Sequence, residues 1–112
     1  MLKLASWNVN GIRAVARKGF ADWLLDGGFD LVCLQETKIH EDQLTDELRD
    51  IGPYRSFSCA GERRGYSGTA IYSKLPPENT CRGFDLDPVF DREGRILIAD
   101  FPLFTLLNIY FP

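Results

Sequence analysis

Cysteine is scarce and poorly placed for cross-linking. The 112 residues contain three, Cys33, Cys59 and Cys81. No two form a CxxC pair and three cannot all pair within one chain, which argues against a disulfide framework or a cysteine zinc site and leaves reduced structural thiols. Long apolar runs are missing too: no stretch approaches the roughly 20 residues of a membrane span. The opening "MLKLASWN" lacks the extended apolar segment and small-residue cleavage site of a secretory leader. The expectation is a cytoplasmic chain with no membrane partner. Nor is there a surplus of positive charge. Thirteen Lys and Arg stand against 16 Asp and Glu, a net charge of −3, so wholesale attraction to nucleic acid is disfavoured and only a local basic patch is left to look for. The one histidine, His40, reads as a solvent-facing residue at a helix start.

What is present is the balance of a soluble globular domain, 45% hydrophobic and 26% charged, at the length of one core. Leu2 to Val9 alternates as a strand. "KGFADWLLDGG" places Phe20, Trp23 and Leu24 on one helical face before the Gly27–Gly28 stop. "FDLVCLQE" then gives four apolar residues in unbroken succession, Leu31 to Leu34, as in a strand buried on both faces of a parallel sheet. The sum is a βαβ unit. Its two strands run parallel, so Asn8 and Glu36 fall at carboxyl ends on the same sheet edge, where open α/β sheets place their ligands. A carboxylate directly after so apolar a strand calls for a cationic partner.

Farther along, Leu44, Leu48 and Ile51 in "HEDQLTDELRDIG" predict a second, largely solvated helix ended by Gly52–Pro53. Strands are expected over Tyr54 to Cys59, Thr69 to Ser73, Arg95 to Phe101 and Phe104 to Phe111. The turn "AGERRGYSG" follows the first of these, a long connection runs through Pro76–Pro77, and Pro102–Leu103 closes a hairpin. About six strands thus have two helices to cover them, so one sheet face is expected to lack a cover. The fold class is α/β, a mixed β-sheet with flanking helices.

The motifs "SWNVNGIRA", "LQETK", "GYSGTAIYSK", "FDREGR" and "NIYFP", in this order and spacing, closely resemble the N-terminal half of the exonuclease III family of apurinic/apyrimidinic endonucleases. "LQE" alone occurs across the wider endonuclease/exonuclease/phosphatase superfamily; "LQETK" with "NGIRA" before it and "EGR" after it is more specific to the DNA-repair branch. The resemblance implies that residues 1–112 are the N-terminal half of a four-layer αββα sandwich. It implies that Glu36 is the carboxylate ligand of a catalytic Mg²⁺, with Mn²⁺ as a substitute, that Asn8 supports the metal, and that Tyr110 is the active-site tyrosine beside the phosphate. Asn10 and Lys38 lie close by. Arg13, Lys18, Tyr66 and Arg95 correspond to residues facing the DNA backbone or the damaged site. The implied substrate is double-stranded DNA with an abasic site or a 3′ end, cut 5′ to the lesion or trimmed from the 3′ terminus.

The family pattern continues after "YFP" with a "GD-aromatic-N" motif and, near its C-terminus, an Asp and an "SDH". None of these is in this sequence, and His40 does not match the family histidine. The expectation is therefore a chain without the catalytic C-terminal half, inactive alone. A different class of expectation is a non-catalytic module that forms a homodimer through the exposed sheet. A third is an RNA-binding relative that has lost catalysis, against which the intact "QET" counts. Arg63 and Arg64 belong to an ordinary solvated turn or to the basic rim; Asp91 and Glu93 read as turn residues.

Overall fold

The computed structural model describes residues 1–84 and 88–112. Strand β1 (Leu4–Asn8) leads into two short helices, α1 (Ile12–Arg17) and α2 (Phe20–Asp26), and then into β2 (Leu31–Gln35). β1 and β2 pair in parallel, Leu4 opposite Leu31 and Asn8 opposite Gln35, as the βαβ reading requires. Helix α1 was not anticipated: Ile12 and Val15 are its only buried residues, too few to announce a period. Gly19, with φ of 102°, caps α2 and separates the two helices. That backbone conformation favours glycine.

The segment expected as a second helix departs most from its pattern. It breaks into a 3₁₀ turn at Glu41–Gln43, the single-turn helix α3 (Asp46–Arg49) and strand β3 (Asp50–Ile51). The His40 backbone N–H donates to the Gln43 side chain at 3.0 Å and closes the first turn, while Thr45 takes extended backbone and restarts the chain. Beyond Arg49, pairing with the next strand overrides helical spacing, with Asp50 opposite Arg55 and Ile51 opposite Tyr54.

β4 (Tyr54–Cys59) and β5 (Thr69–Ser73) complete a five-stranded sheet in the order β1-β2-β5-β4-β3. A second sheet has three strands in the order β6 (Asn79–Arg82), β7 (Ile96–Phe101), β8 (Phe104–Ile109). A single-turn helix, α4 (Pro88–Asp91), precedes β7. β6 corrects the reading of a bare connection after Pro76–Pro77; its sequence, "NTCR", is exposed throughout and carries no apolar alternation. Part of that connection, residues 85–87, lies outside the described residues.

Two sheets resolve the shortage of cover. Helices α1 and α2 pack Ile12, Val15, Phe20 and Leu24 on Val32, Leu34 and Tyr72, on one face of the large sheet. The small sheet lays Leu97, Ala99 and Phe101 on Leu31, Cys33 and Ile71 of the other face. The order helices, sheet, sheet is three layers of the expected sandwich. The outer face of the small sheet keeps Leu107 46% exposed. Among the described residues, no helix is long and apolar enough to cross a membrane.

Candidate active site

Alternation along β2 sends Leu31, Cys33 and Gln35 toward the small sheet and Val32 and Leu34 toward the helices. Continued for one more residue, it would bury Glu36 on the helix side. Instead Glu36 has φ of 56°. This left-handed conformation costs a non-glycine residue about 1 kcal/mol, and it re-aims the side chain: Glu36 Oε1 accepts a hydrogen bond from the hydroxyl of Tyr110, just beyond β8. The two sheets meet chemically at this pair.

The surrounding backbone is equally unusual. Asn10, Lys38 and Ser67 also have positive φ, at 48°, 55° and 57°, and such outliers gather where surrounding structure over-determines them. Here three loops are fastened by main-chain bonds. Gly11 N–H donates to Glu36 O at 2.7 Å and Ile12 N–H to Thr37 O at 2.9 Å. Thr37 N–H donates to Gly68 O at 3.1 Å and Lys38 N–H to Ser67 O at 2.9 Å. Gly68 must be glycine, because a Cβ there would meet Thr37 Oγ1 at 2.2 Å.

Asn8, exposed at the end of β1, accepts the Asn10 N–H on its Oδ1 at 3.0 Å. Asn10 in turn accepts from Lys38 Nζ at 2.6 Å. Arg13 and Lys18 are exposed on and just after α1, and a groove lined by Gly11, Arg13, Ala14, Arg17, Thr37 and Lys38 joins Arg13 to Lys38. The sequence-predicted residues therefore form two groups: Glu36 and Tyr110 in contact, and a basic rim running from Lys38 along α1. Arg64, by contrast, is engaged, giving Asp42 two bonds at 2.8 and 3.3 Å. Those bonds hold the Asp42 carboxyl below its usual range.

Arg95 and Tyr66 take a position that the sequence did not suggest. Arg95 is only 6% exposed. Its Nε donates to Glu93 at 2.8 Å, and Nη2 donates to the Tyr66 hydroxyl. Burial opposes its charge, and the Glu93 carboxylate outweighs burial and holds the guanidinium pKa above its ordinary value. The Tyr110 phenol is likewise pushed up, first by its bond to Glu36, then by burial and the Glu36 charge, with Arg95 opposing. It remains a hydrogen-bond donor at neutral pH.

Sequence reasoning missed Gln35 and Asn108. Asn108 is buried, and its Nδ2 donates to Leu34 O at 3.0 Å and Ala70 O at 2.8 Å. Gln35 Nε2 donates to Asn108 Oδ1 at 2.8 Å and to Ser6 Oγ at 3.0 Å. One amide thus ties β8 to the central strands of the large sheet, two residues before Tyr110 and beside Glu36. The available signal was a lone amide at an inward position of the apolar run "LLNIY".

Among the described residues, no group of three or more His, Cys, Asp or Glu could hold a metal ion. The site's hard oxygen donors are the Glu36 carboxylate and the Asn8 amide oxygen at adjacent strand ends, a sparse set that suits a cation retaining most of its water.

Known proteins resemble this chain in sequence and fold. An exodeoxyribonuclease of Bacillus subtilis (strain 168) is 38% identical over 112 residues, covering 99% of this chain and 43% of the relative. The DNA repair nuclease APEX1 of Danio rerio is 36% identical over 113 residues, covering 99% of this chain and 36% of the relative. An AP endonuclease from Archaeoglobus fulgidus superposes with a TM-score of 0.86 at 30% identity, covering all of this chain and 42% of that one. The chain thus spans less than half the length of these relatives. The Endonuclease/Exonuclease/phosphatase family matches residues 5–110, a span that takes in both Glu36 and Tyr110, and the chain belongs to that family.

Proposed function

We propose that residues 1–112 are the N-terminal half of an exonuclease III-like DNA phosphodiesterase of base-excision repair. The intact protein would cut the backbone 5′ to an abasic site and trim 3′ ends. The observation that carries this reading is the meeting of the Glu36 carboxylate and the Tyr110 hydroxyl across two sheets, at the edge where the parallel strands β1 and β2 end.

Glu36 and Asn8 would hold Mg²⁺, with Mn²⁺ as a substitute, since both offer hard oxygen atoms and Mg²⁺ needs only one or two protein carboxylates. When bound, the ion supplies Lewis-acid polarisation of the scissile phosphate. The chain's own residues do the rest of the positioning. Tyr110 keeps its phenolic proton, which Glu36 accepts in this structure and which a phosphoryl oxygen could accept in its place as charge builds there. Arg13, Lys18, Lys38 and Asn10 offer cations and amide groups to the DNA backbone, which orients a duplex without reading its bases. Tyr66, which shares Arg95 with Tyr110, would face the damaged site.

Phosphodiester hydrolysis requires very large acceleration, and these residues position a phosphate without a partner to activate water. A duplex carrying one abasic site, incubated with the 112-residue chain in Mg²⁺, in EDTA, and with Glu36→Gln, should remain uncut in all three. A Mg²⁺-dependent cut that disappears in Glu36→Gln would show that this half assembles a working site unaided. Self-association is the second reading, favoured by the exposure of Leu107 on the outer face of the small sheet. Sedimentation showing a monomer throughout would remove it.

A further inference from the structure

We propose that Arg95 is a positioning residue: its guanidinium, clamped between the rings of Tyr66 and Tyr110, holds the Tyr110 phenol on Glu36 and does not ligate a DNA phosphate. The inference rests on the reading of Glu36 and Tyr110 as the reactive pair. It assigns Arg95 a role other than the one its motif implies.

Several independent contacts build the clamp. Arg95 Cζ lies 5.6 Å from the Tyr66 ring centroid and 5.2 Å from that of Tyr110, both within the reach of a cation–π contact. The backbone repeats the pairing. Leu97 stands opposite Asn108, and two residues farther along the same face the Tyr110 N–H donates to Arg95 O at 2.8 Å. Tyr66 is fixed by the loop that carries it, since Ser67 Oγ donates to Gly94 O at 3.3 Å. A Cβ on Gly94 would strike Gly61 N at 2.3 Å, so the start of β7 is pressed against that loop.

Little of the guanidinium is left for a ligand. Nε and Nη2 are committed to Glu93 and the Tyr66 hydroxyl. Nη1 is buried beyond solvent and has no hydrogen-bond partner among the described residues. A phosphate could reach it only by displacing the groups that bury it. The planar, weakly hydrated guanidinium suits this slot, whereas a lysine ammonium is a compact, strongly hydrated charge.

The test follows the ring-proton resonances of the four tyrosines by NMR in the 112-residue chain, in Arg95→Gln and in Arg95→Lys. Tyr110 and Tyr66 signals should both shift toward free-tyrosine positions in Arg95→Gln, and Arg95→Lys should not restore them. Tyr54 and Tyr72, away from the clamp, should hold their positions and report an intact fold. Unmoved Tyr110 signals in a folded Arg95→Gln overturn the proposal. If that variant does not fold, Tyr66→Phe decides: removing the hydroxyl that accepts from Nη2 should shift Tyr110 through Arg95, and an unmoved Tyr110 overturns it. Binding of an abasic duplex across a salt series supplies the second arm. The slope of log affinity on log salt should be the same in Arg95→Gln as in the parent, and a slope smaller by about one identifies a lost phosphate contact and overturns the proposal. Absence of any duplex binding counts against the nuclease reading, while the Tyr110 signals still decide the clamp.

Discussion

The space between the two sheets has two ends of opposite character. At the hairpin end Phe101 stacks on Phe104 with ring centroids 4.9 Å apart, and Ala99 stands opposite Leu106. Nearby, burial pushes the Cys33 thiol up to about 11, as an apolar setting should. At the other end the same alternation presents Asn108, Arg95 and Tyr110, and Glu36 turns in to meet them. The apolar end rests on relaxed strands and area removed from water. The polar end is held by directed hydrogen bonds and backbone in a strained conformation. The contrast teaches that one pair of sheets can supply stability at one end and a chemically committed rim at the other, joined by the Asn108 amide.

Substitutions can separate the two ends. Leu97→Ala, at a position 1% exposed where the ends meet, should lower unfolding free energy by about 3 kcal/mol in urea titration, because a large-to-small change in packed core adds a cavity to lost transfer energy. A loss under about 1 kcal/mol would mean that the sheets are loosely packed. Asn108→Ala should be nearly as damaging, about 2 kcal/mol, because it strands the Gln35 amide and withdraws donors from two buried carbonyls. If the rim is independent of the core, Asn108→Ala will instead leave the urea midpoint in place.

A much smaller net effect is expected at Glu36. Glu36→Gly relieves a left-handed residue, a gain of about 1 kcal/mol that the added freedom of glycine in the unfolded chain largely cancels, so stability should change little while any divalent-ion binding measured by calorimetry is abolished. Destabilisation would show that the contact with Tyr110 outweighs the strain. Smallest is the exposed pair of Arg64 and Asp42. Since the folded Asp42 pKa is depressed, its contribution is present above the ordinary carboxylate value of about 3.9 and is lost as pH falls through the lower folded value. Asp42→Asn should lower the urea midpoint slightly at pH 7, by the small worth of an exposed pair, and this deficit should vanish once pH has fallen below the ordinary carboxylate value.

The parallel pairing of β1 and β2, and with it the adjacency of Asn8 and Glu36, was legible because four consecutive apolar residues and a Gly27–Gly28 stop leave little choice. Motif resemblance assigned Tyr110 and Glu36 to one site but did not announce their contact, which spans 74 positions and depends on a positive φ that nothing in "LQETK" signals. The helix expected over residues 40–52 failed because Asp50 and Ile51 have a better use as partners of Arg55 and Tyr54. A basic residue after "EG" was read as facing DNA; in the fold Arg95 is buried near Tyr66 and Tyr110, and spacing along the chain carries no information about burial.

The fastening of the three rim loops sets a timescale. Amides at Val9, Gly11, Ile12, Thr37 and Lys38 all donate to main-chain carbonyls, so hydrogen exchange there should be slow and should approach that of the central strands. A rim that opens no more readily than the core is a rigid template rather than a closing lid. If this rim belongs to a DNA phosphodiesterase, as proposed above, a duplex meeting it would have to do the bending itself.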